Sequence, residues 1–163
     1  MPPRARARRY WLFKSEPESY SFVQLQRDRS TFWNGVRNYQ ARNLLRDEIQ
    51  VDDGVLFYHS NAEPMAIQGI ARVTRAGYPD PTAFEANSPY HDPDSDPADP
   101  RWFQVDIACV APFAEPVTRD RCKAEPALRD MVLLQRGSRL SVQPITAGEW
   151  RAILKLGGAS ESW

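Results

Sequence analysis

The stretch VDDGVLFYHSNAEPMAIQGIARVT, residues 51–74, decides the fold class. Asp52-Asp53-Gly54 turns the chain, because short Asp side chains bond their own backbone and Gly tolerates the left-handed region. Beyond it the hydrophobic period becomes that of a strand. Val55–Ser60 is a buried-looking run, and Ile67, Gly69, Ala71 and Val73 alternate with Gln68, Ile70, Arg72 and Thr74. The two predicted strands are joined by Asn61-Ala62-Glu63-Pro64.

Upstream of the turn the period is helical. Ala41, Leu44, Leu45 and Ile49 predict a helix starting near Asn38, and Ser21 with Gln24 forms a capping box ahead of Phe22, Val23 and Leu25, predicting a helix over 21–27. Tyr10–Lys14 reads as a short first strand, and residues 1–9 as a flexible basic arm. Downstream, residues 79–100 carry six prolines and six acids (Asp80, Glu85, Asp92, Asp94, Asp96 and Asp99) with no Lys or Arg. Pro fixes φ and lacks a donor, so this segment is expected to be a long ordered loop rather than sheet or helix. Phe103, Val105, Ile107 and Cys109 share a strand face, a short helix is expected over 126–134, and Leu140–Val142 reads as a last strand. Thr146 with Glu149 makes a second capping box before Trp150, Ile153 and Leu154, which leaves 159–163 as a tail after a domain over 10–158. The pattern is α+β, mostly antiparallel, with short helices around a small, partly open barrel.

Composition narrows the function classes. The 163 residues are 42% hydrophobic and 26% charged, as in an ordinary soluble globular domain, and 21 Lys+Arg balance 21 Asp+Glu. Neutrality argues against long-range attraction to nucleic acid, yet the 79–100 segment holds six of the acids, so 21 basic residues face 15 acidic ones elsewhere. No apolar run approaches the ~20 residues of a membrane span. Lys14, Ser15, Glu16 and Pro17 follow Tyr10–Phe13 at once, so no export signal is read and a cytoplasmic protein, expected to be monomeric, is inferred. Cys109 and Cys122 lack CxxC spacing and read as buried reduced thiols.

No GxSxG, Walker, HExxH or GxGxxG motif is present, and His59 and His91 have no partners at metal-ligand spacing, so neither metal nor cofactor is expected. Asp92-Pro-Asp-Ser-Asp96 imitates the start of a calcium loop but has Pro97 in place of the required Gly. The most unusual stretch is Thr31-Phe-Trp-Asn-Gly-Val-Arg-Asn-Tyr-Gln-Ala-Arg-Asn43, which joins Trp33 and Tyr39 to Arg37 and Arg42 with four amides and no acid. Rings stack on bases, guanidinium groups hold phosphate, and amides read base edges. The same rings also suit core anchors, with the arginines on a solvated helix face. Phe57-Tyr-His-Ser-Asn61 and Lys14-Ser-Glu-Pro17 also sit at strand ends, where their polar groups are positioned to converge.

Together these segments resemble the EVE domain family of the PUA-like superfamily. The matching pieces are Tyr10-Trp-Leu-Phe-Lys-Ser-Glu-Pro17, Trp33-Asn-Gly-Val-Arg-Asn-Tyr-Gln-Ala-Arg-Asn43, Phe57-Tyr-His-Ser-Asn61, Ala76-Gly-Tyr-Pro-Asp80, Trp102 with Val105-Asp106, and Arg139-Leu-Ser-Val-Gln-Pro144, in family order over 10–156. The resemblance implies a PUA-like mixed β-barrel and a non-enzymatic module that takes a modified base of DNA or RNA into a pocket. Carried over, Lys14, Ser15 and Glu16 would line the pocket and Trp33 would be a stacking wall. Arg37, Asn38 and Arg42 would hold the base edge and backbone, and Tyr58, His59 and Ser60 would close the opposite side. The family usually has Asp where this chain has Asn34. Two other readings compete: a nucleotide-directed hydrolase using Glu16 and His59, and a protein-interaction module docking through loop 79–100.

Overall fold

The computed structural model describes residues 7–137, 139–161 and 163 of the chain. Its strands are β1 (Tyr10–Ser15), β2 (Ser30–Trp33), β3 (Gly54–His59), β4 (Ala66–Pro79), β5 (Phe103–Thr118) and β6 (Val142–Ile145). They form one sheet in the order β2-β5-β4-β3-β1-β6. β1 and β3 run parallel, because the crossover between them holds α1 (Phe22–Asp28), β2 and α2 (Tyr39–Asp47); the other pairings are antiparallel. β2 and β6 stand at the two edges without pairing to each other, so the curved sheet stays open. Its curvature comes from β4 and β5, whose register shifts repeatedly along their length.

Strand alternation divides the core in two. Trp11 and Phe13 of β1, Val55 and Phe57 of β3, Ala71 and Val73 of β4, and Val105 and Ile107 of β5 face inward, where α1 and α2 add Phe22, Leu25, Ala41 and Leu45. Leu12, Leu56, Tyr58, Ile67 and Ile70 face the other way, under α3 (Arg119–Ala124) and α4 (Ala147–Gly157) with Cys122, Trp150 and Ile153. Each large side chain buried this way contributes roughly 1.5–3 kcal/mol.

Both predicted capping boxes form. Ser21 Oγ accepts from Gln24 N at 3.2 Å while Gln24 Oε1 accepts from Ser21 N at 2.7 Å. Thr146 and Glu149 repeat the exchange at 3.1 and 2.9 Å. Asn38 caps α2 by accepting from Ala41 N at 3.0 Å.

Other expectations are corrected. β2 lay inside the segment read as a nucleotide-binding stretch; four residues at a sheet edge, pairing Trp33 with Val105, are too short to show a period. β5 runs on past the expected Cys109 because Pro112 falls at a register shift opposite Gly69, where no ladder hydrogen bond is required of it. β6 spans Val142–Ile145 instead of 140–142, and tolerates Pro144 because it is an edge strand. The helix expected over 126–134 is instead two short 3-10 turns, Pro126–Leu128 and Val132–Leu134, behind α3. Loop 79–100 contains a 3-10 turn at Pro81–Phe84, with Asp80 capping it and Pro81 at its first position.

Residues 1–6 of the basic arm lie outside the described residues. Arg8 and Arg9 are tied down: Arg8 sits 4.3 Å over the Trp163 ring, and Arg9 pairs with Glu48 at 3.3 Å. Cys109 is half-buried, Cys122 is buried, and both are free thiols. No helix among the described residues is long and apolar enough to cross a membrane.

Candidate nucleic-acid interface

A cavity of about 870 Å³ opens where the two edges of the sheet fail to meet. Its wall is drawn from the end of β1 (Lys14, Ser15), from β2 (Trp33) and from Ser141 just before β6. This volume is within the range of small-molecule and nucleotide sites.

Trp33 joins core to cavity. Its ring lies 5.2 Å from Phe13 and 5.4 Å edge-on from Phe57, so it is a core anchor, yet it lines the opening. The chain has five tryptophans, and four donate their indole N–H: Trp11 to Asp53, Trp102 to Asp92, Trp150 to Glu161 and Trp163 to the Asp52 carbonyl. The Trp33 indole N–H has no acceptor among the described residues. A donor at a cavity wall without a protein partner is available to a ligand acceptor.

The loop after β2 is shaped by Asp80. Gly35 adopts φ +77°, and a Cβ there would meet the Tyr90 ring at 2.6 Å, so the position demands Gly on both grounds. Asp80 accepts from Gly35 N at 2.8 Å, Arg37 Nη1 at 3.1 Å and Thr82 N at 2.8 Å. Burial pushes the Asp80 carboxyl upward, but the Thr82, Gly35 and Arg37 bonds outweigh it and hold the group below the usual carboxylate range. Arg37 also donates to the Tyr90 carbonyl at 2.6 Å and lies 5.3 Å from the Trp102 ring. It borders the cavity with its guanidinium already committed to the loop.

The sequence-selected residues therefore divide. Lys14, Ser15, Glu16, Trp33 and Arg37 share the cavity. Ser15 Oγ donates to the Tyr20 carbonyl at 2.6 Å, and the Ser15 carbonyl accepts from Ser60 N at 3.0 Å, which fixes the exit of β1. Asn38 is the cap of α2. Arg42 donates to the Arg101 carbonyl at 2.6 Å in a separate cleft of about 410 Å³ between α2 and the acidic loop. Tyr39, offered with Trp33 as a stacking ring, is exposed and stacks on Trp102 at 4.9 Å in that direction. Tyr58 is buried on the opposite face of the sheet. His59 Nε2 accepts from Phe22 N at 3.1 Å, and burial lowers the imidazole pKa below its ordinary 6.5. Glu16 is exposed and makes no side-chain bond to His59 among the described residues. No group of three or more His, Cys, Asp or Glu among the described residues is arranged to hold a metal ion.

Asn34, one of the four amides singled out in the sequence, also lines the cavity, whereas sequence reasoning missed Phe32, Tyr78, Asp106 and Tyr90. Tyr78 donates to Asp106 in a short hydrogen bond and accepts from Gln104 Nε2 at 2.7 Å, while Arg75 sits 3.6 Å over its ring. Only strand register brings these together, since Phe32 pairs with Asp106 across β2 and β5. Tyr90 had one signal, an aromatic inside a proline-rich acidic segment. That loop is folded on itself as well: Asp92 accepts from Trp102 Nε1 at 2.6 Å and pairs with Arg101 at 3.4 Å.

Comparison with known proteins matches residues 9–156 to the EVE domain. Thymocyte nuclear protein 1 of Rattus norvegicus is 40% identical over 172 residues, covering 94% of this chain and 75% of its own length. A crystal structure of a Pseudomonas putida protein superposes with a TM-score of 0.87 at 46% identity, covering 90% of this chain and 98% of that one. The crystal structure of human THYN1 protein in complex with 5-methylcytosine containing DNA superposes with a TM-score of 0.86 at 35% identity, covering 94% and 99%.

Proposed function

This chain belongs to the EVE domain family, and we propose that it is a non-enzymatic DNA-binding module that takes a modified base, of the 5-methylcytosine class, into the cavity beside Trp33. The observation that carries this reading is the likeness to human THYN1 bound to 5-methylcytosine containing DNA, joined to a cavity whose tryptophan keeps a free N–H. A base cannot be read from inside the stack by a cavity, so it must be extruded at a cost of a few kcal/mol. Stacking returns about 1–3 kcal/mol per base, and the balance comes from hydrogen bonds at the base edge and contacts to the backbone. The Trp33 N–H supplies one such donor. A methyl group in an apolar corner adds roughly 1 kcal/mol, enough for a preference rather than an absolute filter.

The hydrolase reading loses its base, because the accepting nitrogen of His59 already holds the Phe22 amide and the ring is partly buried against Phe57 at 5.7 Å. Zero net charge makes nonspecific attraction to long nucleic acid weak, which leaves affinity to the site itself.

Titration with matched duplexes carrying cytosine or 5-methylcytosine, beside an RNA duplex of the same sequence, tests the reading. The modified DNA is expected to bind tightest, and Trp33→Phe to weaken it while keeping the core filled. Equal, weak binding to every duplex, unchanged in the variant, would overturn it.

A further inference from the structure

Where β1 ends, three donors converge without an acceptor. Lys14 and Tyr58 are register partners on β1 and β3, so both side chains leave the sheet on the side of Leu12 and Leu56. Tyr58 is only 2% exposed, yet its hydroxyl makes no hydrogen bond among the described residues. Arg119 reaches the same corner from β5: Thr118 pairs with Ala66, and Arg119 N donates to the Met65 carbonyl at 2.9 Å, beside the turn that leads from Tyr58 and His59 into β4. Neither the Lys14 ammonium nor the Arg119 guanidinium has an ion pair or hydrogen bond among the described residues. Arg37 and Arg42, by contrast, are bonded to backbone carbonyls.

The electrostatics agree with this convergence. Burial lowers the Lys14 pKa and the Arg119 charge lowers it further. Burial raises the Tyr58 pKa, and Arg119 pulls it back. Among the described residues no carboxylate pairs with the Lys14 ammonium or bonds the Tyr58 hydroxyl. The two like charges repel in the free protein, and the hydroxyl of the otherwise buried Tyr58 reaches solvent beside them, so an anion with several acceptor oxygens would meet all three donors at once. Phosphate has that chemistry, accepting charge-assisted bonds from ammonium, guanidinium and hydroxyl together. Lys14 also borders the cavity, so the corner and the cavity meet at the end of β1.

We propose that Lys14, Tyr58 and Arg119 form a seat for a backbone phosphodiester of the DNA strand whose base enters the cavity. The proposal rests on the DNA-binding reading, and it moves Lys14 and Tyr58 from contacts with the base to contacts with the backbone. Phosphate contacts position a strand without reading its sequence, so the seat sets register and affinity while Trp33 sets preference.

Binding of the cytosine and 5-methylcytosine duplexes by the full chain, measured over a range of salt concentrations for the wild type, Arg119→Gln and Tyr58→Phe, separates the two roles. Arg119→Gln is expected to weaken both duplexes by a similar factor and to flatten the salt dependence by about one counterion's worth, with the ratio between duplexes unchanged. Tyr58→Phe keeps the packed ring and is expected to weaken both duplexes with little change in salt slope. A neutral methylphosphonate linkage walked along the modified strand should weaken the wild type at one position and leave Arg119→Gln indifferent there. Inorganic phosphate is expected to compete only weakly, since a free ion lacks the base that anchors the strand. Wild-type affinity and salt slope in Arg119→Gln, or no methylphosphonate position whose effect disappears in that variant, would overturn the seat. A wild type that ignores the methyl group while the variant still flattens the salt slope would sink the base-reading proposal and leave the seat standing.

Discussion

The two ends of β1 are built on opposite rules. At its start, every polar group named has a protein partner. Asp53, 1% exposed, accepts from Trp11 Nε1 at 2.9 Å, Arg9 N at 3.1 Å and Gln50 N at 3.0 Å. Arg9 pairs with Glu48, Arg8 with Glu161 at 3.7 Å, and Glu161 accepts from Trp150 at 2.7 Å. At its far end the Lys14 ammonium, the Tyr58 hydroxyl and the Trp33 N–H find no acceptor among the described residues. None of these three groups is sealed from solvent, so each is open to an acceptor that an outside molecule would supply. One strand thus runs from a sealed end to an open end, where we propose that DNA is bound, and the basic residues Arg8 and Arg9 belong to the sealed one.

Four measurements would break or sharpen this contrast. The largest effect is expected at the sealed end: Asp53→Ala strands three donors among the described residues, two of them backbone amides, and should cost about 3 kcal/mol in urea denaturation while the remaining folded protein keeps its preference between duplexes. Next is the loop at the open end. Gly35→Ala forces a non-glycine residue to φ +77° and drives its Cβ into the Tyr90 ring, at a cost of about 2 kcal/mol with weaker DNA binding. Adding Tyr90→Ala should recover part of that loss, and no recovery would mean that backbone strain alone decides the position.

The third measurement pits two tryptophans against each other. Trp33→Phe should lower affinity for the modified duplex by roughly tenfold with a stability loss under about 1.5 kcal/mol. Trp150→Phe loses the bond to Glu161 and should change stability alone. Equal binding losses in both would erase the distinction between the ends. The smallest effect concerns His59, which is held neutral by burial and by the Phe22 amide. Its folded pKa lies below the ordinary 6.5, so the unfolded chain binds more protons between the two values. Its contribution to stability should be full above about pH 6.5 and decline as pH falls from there through the folded value. Urea midpoints on either side of that pH should diverge in the wild type and less so in His59→Gln.

Local chemistry made much of the fold legible. Ser21 with Gln24, Asn38, and Thr146 with Glu149 announce helix starts because a cap acts within one turn. The alternation of Ile67, Gly69, Ala71 and Val73 announces a strand for the same reason of short range. β2 and the far half of β5 stayed hidden because their pairing depends on partners across the sheet: Trp33 on Val105, and Pro112 on a register shift. The wall of the candidate cavity was legible where one segment carried it. Trp33, Arg37 and the Lys14-Ser15-Glu16 run came from such segments, whereas Tyr78, Asp106 and Tyr90 enter through register and loop packing alone.

The sequence by itself determined the α+β class, the caps, the turn at Asp52-Asp53-Gly54 and the family, because each is written in neighbouring residues. Tertiary structure alone decided which polar groups are used up. Arg37 and Lys14 look equally available in the sequence, but Asp80 and the Tyr90 carbonyl hold the first, while nothing among the described residues holds the second. A side chain's freedom to bind depends on acceptors that distant segments bring within hydrogen-bond reach, and that reach is a property of the folded chain.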